Sequence, residues 1–124
     1  MKGSIWIAIA ALNMFIAVAA GAFGAHGLKA ILTPEMLAIW QTAVHYQMIH
    51  ALALLATGIL MQHWTEALLK TSALAFLSGI LVFSGSLYAL ALTGIKILGA
   101  ITPVGGVAFL IGWAMLAWCA LRHR

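Results

Sequence analysis

The stretch AVHYQMIHALALL, residues 43–55, decides the fold. Residues 51–61 are almost wholly apolar, but eleven residues of helix rise only about 16 Å, short of the roughly 30 Å hydrocarbon core of a bilayer. A span here must therefore extend back through His50, Gln47, Tyr46 and His45. Trp40 and Trp64 bracket the longer segment, about 36 Å apart along a helix, which fits one tryptophan at each membrane interface. Laying residues 35–46 flat on the surface instead would leave backbone polar groups unsatisfied in lipid. The stretch thus reads as a membrane helix with polar side chains at depth.

The composition agrees. Of 124 residues, 65% are apolar and 6% are charged. A soluble domain carries about 25% charged residues, and so few charges cannot cover a water-facing surface. Three further spans follow from long apolar runs, giving helices at about 5–25, 36–61, 70–92 and 102–121. The first run is longer than a secretory leader's apolar core and is followed by more spans, so it reads as a transmembrane helix. Thr33 and Pro34 suit the start of the second helix, and Thr102 and Pro103 the start of the fourth. The expected fold is all-α, an integral membrane bundle of four transmembrane helices. Residues 1–124 form a single domain in this reading, with N and C termini on the same side.

Six Lys and Arg against two acidic residues give a net charge of +4. The cations are scattered at the ends of apolar runs, with no stripe to follow a phosphate backbone, so nucleic acid is not an expected partner. Lys2, Lys70, Arg122 and Arg124 share one side and Lys29 and Lys96 the other, which places the termini in the cytoplasm. A lone cysteine, Cys119, excludes an intrachain disulfide and reads as a small buried hydrophobe.

Lipid is as apolar as leucine, so helices must associate through close packing and shared hydrogen bonds. Asn13, Ala17, Gly21 and Ala25 recur every fourth residue on the first helix, and Gly24 with Ala20 widens that smooth surface. Gly79 on the third helix and Gly105, Ala108 and Gly112 on the fourth supply similar surfaces. The outward faces expect membrane lipid, and a homo-oligomer would use the same faces.

The candidate membrane-embedded polar cluster is Asn13, Gln41, His45, Tyr46, Gln47, His50, Ser84, Ser86 and Tyr88. His45 and His50 lie about 140° apart around a helix, so the second helix presents two polar faces, as a central helix with two neighbours would. Two accounts compete. Each polar group satisfies a neighbour and fixes packing, or the histidines relay protons or bind a ligand. No catalytic residues are assigned. There is no attachment signal for covalent haem, no set of zinc ligands, and no intramembrane carboxylate to orient a base; Glu35 and Glu66 fall near opposite edges. No cofactor and no metal are expected. Near the edge, GAFGAHGLK (21–29) packs glycines around His26 and Lys29, a candidate headgroup or anion contact together with the ITPVGG turn.

Several motifs in order resemble a known family: GAFGAHGLK (21–29), WQTAVHYQMIHALALL (40–55), AFLSGILVFSGSLYALALTG (75–94) and LGAITPVGGVAFLIGW (98–113). They resemble the small bacterial membrane proteins of domain-of-unknown-function family 423, an uncharacterised family with an animal relative called transmembrane protein 256. The resemblance runs from about Ala19 to Trp113. The matching positions include His26, Lys29, Trp40, Tyr46, Gln47, His50, Ser84, Gly85, Ser86, Tyr88, Pro103 and Gly106. It implies a multi-pass protein of the bacterial inner membrane and no particular activity. The leading expectation is therefore a compact bundle with a packing or ligand-binding role, more readily a non-enzyme than an enzyme. The alternatives are a small-solute or proton transporter or channel using the second and third helices, and a cofactor- or lipid-binding enzyme or redox subunit.

Overall fold

A computed structural model describes residues 2–65 and 67–123, without the side chain of Lys2. Glu66, Arg124 and the Lys2 side chain, used above for the charge argument, lie outside the described residues. Four long helices are present: α1 (Lys2–His26), α2 (Pro34–Leu60), α3 (Ala67–Thr93) and α4 (Leu98–Arg122). A 3-10 turn, Leu28–Ala30, links α1 to α2. All four helices are long and apolar enough to cross a membrane. No strand occurs among the described residues.

The helix ends follow local chemistry. Thr33 is extended and its hydroxyl accepts from the Met36 N–H at 3.2 Å, while Pro34 and Glu35 occupy the first turn of α2. An acidic side chain is favoured there by the helix dipole. Gly94 closes α3 in the left-handed region at φ 72°, where its N–H reaches Leu90 O at 2.7 Å; only glycine adopts this cap freely. Helix α4 begins at Leu98, one turn before the expected start. Thr102 is therefore inside the helix, and its hydroxyl turns back to Leu98 O at 3.2 Å instead of capping. Pro103 sits in the second turn.

Helix α3 is not uniform. Its middle, Ile80–Ser84, is π-helical, a wide turn that occurs mostly as a single interruption of an α-helix. It falls where the backbone of Phe83 lies against α4. A Cβ added to Gly105 would lie 2.3 Å from Phe83 N. Glycine is required here by the close approach of two backbones.

The central helix is α2, which packs against α1 on one side and α3 on the other; α3 also packs on α4. Buried residues of α2 recur at 40, 44, 47, 51, 54 and 58, alternating steps of four and three. On α1 the buried or half-buried positions include the row Gly3, Trp6, Ala10, Asn13, Ala17, Ala20 and Gly24. This is a seven-residue repeat, the seam of a left-handed helix pair. Of the expected small-residue face, Asn13, Ala17 and Gly21 are turned inward with Ala20 and Gly24 beside them, and Ala25 is exposed. A step of four overshoots the 3.6-residue turn, and the stripe drifts off the seam.

Aromatic rings fill the glycine positions of the α3–α4 contact. A Cβ on Gly79 would meet Phe109 at 2.3 Å, and one on Gly112 would meet Phe76 at 2.6 Å. Each helix thus donates a ring to a socket in the other. The start of α1 and the end of α4 lie at one end of the bundle. A Cβ on Gly3 would meet Gly58 O at 2.5 Å, near the end of α2, and His123 stacks on Trp64 with ring centroids 4.4 Å apart.

Candidate functional site

The polar residues of the spans resolve into two separate stations on α2, one on each buried face. The first runs across three helices. Tyr88 of α3 donates its hydroxyl to Gln47 Oε1 at 2.7 Å. Gln47 Nε2 donates to Asn13 Oδ1 of α1 at 3.3 Å, and Asn13 Nδ2 donates to Ile9 O at 3.0 Å. Each group is neutral, and each donor has an acceptor. Beside it, Trp40 packs edge-on to Tyr88 at 4.6 Å and donates its indole N–H to Ala20 O at 2.8 Å. Trp40 is only 7% exposed, so it is a wedge between helices, not the lipid-facing anchor its position suggested. Gly24 makes room for it, since a Cβ there would lie 2.7 Å from its ring. Trp6 is likewise turned into the core, whereas Trp118 faces outward.

The second station is His50, 4% exposed. Its Nδ1 lies 2.7 Å from Tyr46 O, and its Nε2 lies 3.0 Å from the indole nitrogen of Trp113 on α4. A carbonyl only accepts and an indole N–H only donates. The ring is therefore neutral, with its proton on Nδ1 and its Nε2 lone pair taken by Trp113. Phe109 stacks on the imidazole face, centroids 3.5 Å apart and planes at 9°. Phe76 closes the next side at 5.8 Å. Placing a second proton on Nε2 would set two N–H groups against each other. Binding a metal through Nε2 would require the indole to leave.

Hydroxyls stitch the remaining contacts. Ser84 donates to Ala43 O at 2.8 Å, joining the π-helical turn to α2. Ser86 donates to Phe83 O at 3.0 Å and lies 2.6 Å from the Thr102 hydroxyl of α4. Ser72, Thr102 and Trp113 were absent from the sequence-derived cluster. Ser72 donates to Gly112 O at 2.8 Å from a buried position. Trp113 carried a usable signal: a tryptophan near mid-span has no headgroup to bond and needs an internal partner for its N–H. Among the described residues, no buried side-chain nitrogen or oxygen lacks a partner.

The remaining candidates stand elsewhere. Tyr46 is 41% exposed, with its ring over Phe83 at 4.5 Å. Gln41 and His45 are exposed on the outside of α2 and make no hydrogen bond among the described residues. They line an open groove of about 560 Å³ between α1 and α2 with Val18, Gly21, Ala22, Val44 and Met48. His26 and Lys29 are exposed at the end of α1, where the buried Leu28 anchors the turn. The glycines of 21–29 do not build a loop of exposed N–H groups. Gly21 and Gly24 are helical, Gly27 has φ −68°, and Gly94 alone has positive φ among the described residues. Among those residues, no three of His, Cys, Asp and Glu gather to hold a metal ion.

Four apolar spans joined by short turns, with neutral polar links between them, define a small multi-pass integral membrane protein. The chain belongs to the DUF423 family, described as a protein of unknown function, which matches residues 20–106. It is similar to a UPF0382 membrane protein of Staphylococcus saprophyticus, 51% identical over 112 residues, covering 90% of this chain and 92% of the relative. It is also similar to UPF0382 membrane protein YwdK of Bacillus subtilis, 43% identical over 120 residues, covering 96% and 98%. No solved structure matches the chain. With these relatives and four spans, it is a multi-pass protein of the bacterial inner (plasma) membrane.

Proposed function

We propose that the chain serves as a structural and interaction component of the membrane, a rigid bundle that works through its outward surfaces. One observation carries this: both nitrogens of His50, the one buried histidine among the described residues, are committed to Tyr46 O and the Trp113 indole. A relay histidine needs a nitrogen free to accept or pass on a proton. The one-way order from Tyr88 through Gln47 to Asn13 supports the same role, since amides and a phenol hold register without changing charge. Proteoliposomes loaded with a pH-sensitive dye test the proposal. Proton entry should equal that of protein-free vesicles under an imposed potential. Entry that is faster and abolished by His50→Phe would replace this role with proton transport.

Membrane lipid covers the broad apolar faces of α1 and α4, including Phe15 and Ile16 on one and Val107 and Leu110 on the other. A homo-oligomer would use these faces, and crosslinking in native membranes separates the two arrangements. The charge pattern supports cytoplasmic termini: Lys70 and Arg122 lie at the end that carries them, and Lys29 and Lys96 at the other.

A further inference from the structure

We propose that the groove between α1 and α2 is a binding site for a glycerophospholipid, with Gln41 and His45 as hydrogen-bond donors to its ester carbonyls. This inference concerns the outer surface and does not depend on the interior role of His50. Gln41 and His45 sit one turn apart on α2, both exposed and both without a partner among the described residues. Each is polar and each lies within the length of a span. In hydrocarbon an unbonded amide or imidazole N–H is costly, and an acceptor entering from the lipid side relieves that cost. Fully apolar acyl chains cannot.

The groove has the order of parts a glycerophospholipid has. Trp40 packs on Gly24 and Val44 lies 3.3 Å from where a Gly21 Cβ would stand, which sets the register of α1 against α2. His26 lies about 7.5 Å beyond Gly21 along α1, and Lys29 follows in the next turn. The polar His26 and the cationic Lys29 thus stand toward the outer end, and Glu35 lies in the first turn of α2. Gln41 and His45 come next, deeper in. Val44 fills the level between them, and Val18 and Met48 continue the apolar wall below. A phosphate outermost, ester carbonyls beneath and acyl chains below occupy the same sequence of environments. The volume of about 560 Å³ accommodates the glycerol ester region and the first part of a chain, and leaves the rest in the bilayer.

The experiment uses native mass spectrometry of the full chain in mild detergent. Dioleoyl phosphatidylglycerol is titrated against its ether-linked analogue, which keeps the phosphate and chains but lacks both carbonyls. The wild type should bind one ester lipid per chain about tenfold more tightly than the ether lipid. Gln41→Leu with His45→Leu should remove that preference, and Ala22→Phe should block the groove while leaving both donors intact. Helical content and melting of the variants verify that they are folded; both sites are exposed, and leucine is at home in lipid. Equal binding of ester and ether lipids overturns the proposal. So does ester preference that survives in both variants. A co-purified isoprenoid quinone, seen by its ultraviolet band, or a dimer lost in the double variant would assign the groove to that occupant instead.

Discussion

Trp113 donates its indole N–H to Nε2 of His50 at 3.0 Å, tying the middle of α4 to the middle of α2. The pair crosses between helices whose backbones barely approach, and rings of Phe76 and Phe109 surround it. A polar link inside an apolar aromatic box acts on register, because any slide of α4 along α2 leaves both nitrogens unpaired.

Removing both partners should cost no more than removing one. Trp113→Phe keeps most of the ring packing and strands the His50 lone pair, and a loss of about 1 kcal/mol is expected. His50→Phe strands the indole N–H and should cost a similar amount. The double variant should recover part of this, with a coupling energy near 1 kcal/mol in a double-mutant cycle measured by reversible unfolding in bicelles. Strictly additive losses would show that the bond contributes nothing. His63 is exposed in the α2–α3 turn, so His63→Ala should leave stability within about 0.5 kcal/mol.

The two neighbouring glycines of α4 should respond oppositely to alanine. At Gly105 a Cβ would meet the backbone of Phe83, at 2.3 Å from N and 2.7 Å from Cα, and backbone cannot swing aside. At Gly106 the nearest atom is the Phe83 ring at 3.9 Å, an ordinary contact. Gly105→Ala should destabilise by roughly 1–3 kcal/mol. Gly106→Ala should be neutral or stabilise by up to about 1 kcal/mol through helix propensity. Melting temperatures of the purified variants decide this, and equal shifts would contradict the close approach of α3 and α4.

Gln47 and Gln41 offer a matched comparison on one helix. Gln47→Leu separates Tyr88 from Asn13 and leaves both without their partner, for an expected loss of about 1–2 kcal/mol. Gln41→Leu removes an exposed amide that bonds nothing in the chain, and stability in detergent should stay within about 0.5 kcal/mol. A larger effect at Gln41 would mean that the buried network is not what holds α1 to α2.

The four spans were legible because their apolar runs are long, and the start of α2 because Thr33 and Pro34 have one chemistry to offer. Which of the polar faces of α2 points inward was not. In water the buried face stands out as the apolar one; in lipid both faces are apolar, and the contrast vanishes. Gln41 and Gln47, or His45 and His50, are the same residue types at similar depth, yet one of each pair is outside and the other inside. On α1 the small residues Ala17, Ala20, Gly21 and Gly24 did mark the inward side, and only Ala25, at the end of the every-fourth-residue row, falls outside it. The π-helical turn at Ile80–Ser84 left no local mark, because it answers to Phe83 meeting Gly105 on another helix. Trp113 is the case in which more was available than was taken.

The orientation proposed from the charges has a direct assay. Cysteine introduced at Thr65 should react only after the membrane is permeabilised, and cysteine at Ile95 should react in intact cells with an impermeant maleimide. Both positions are exposed in turns at opposite ends, and the native Cys119 is buried. The reverse pattern would invert the topology.

The tautomer of His50 tests the central claim most directly. Nitrogen-15 solid-state NMR of the protein in lipid bilayers at neutral pH reports each imidazole nitrogen separately, and His50→Phe assigns the signal. The geometry predicts a neutral ring with the proton on Nδ1 and a hydrogen-bonded, unprotonated Nε2 whose resonance moves in Trp113→Phe. A proton on Nε2, a charged imidazolium, or an Nε2 signal indifferent to Trp113→Phe would contradict a histidine held for packing.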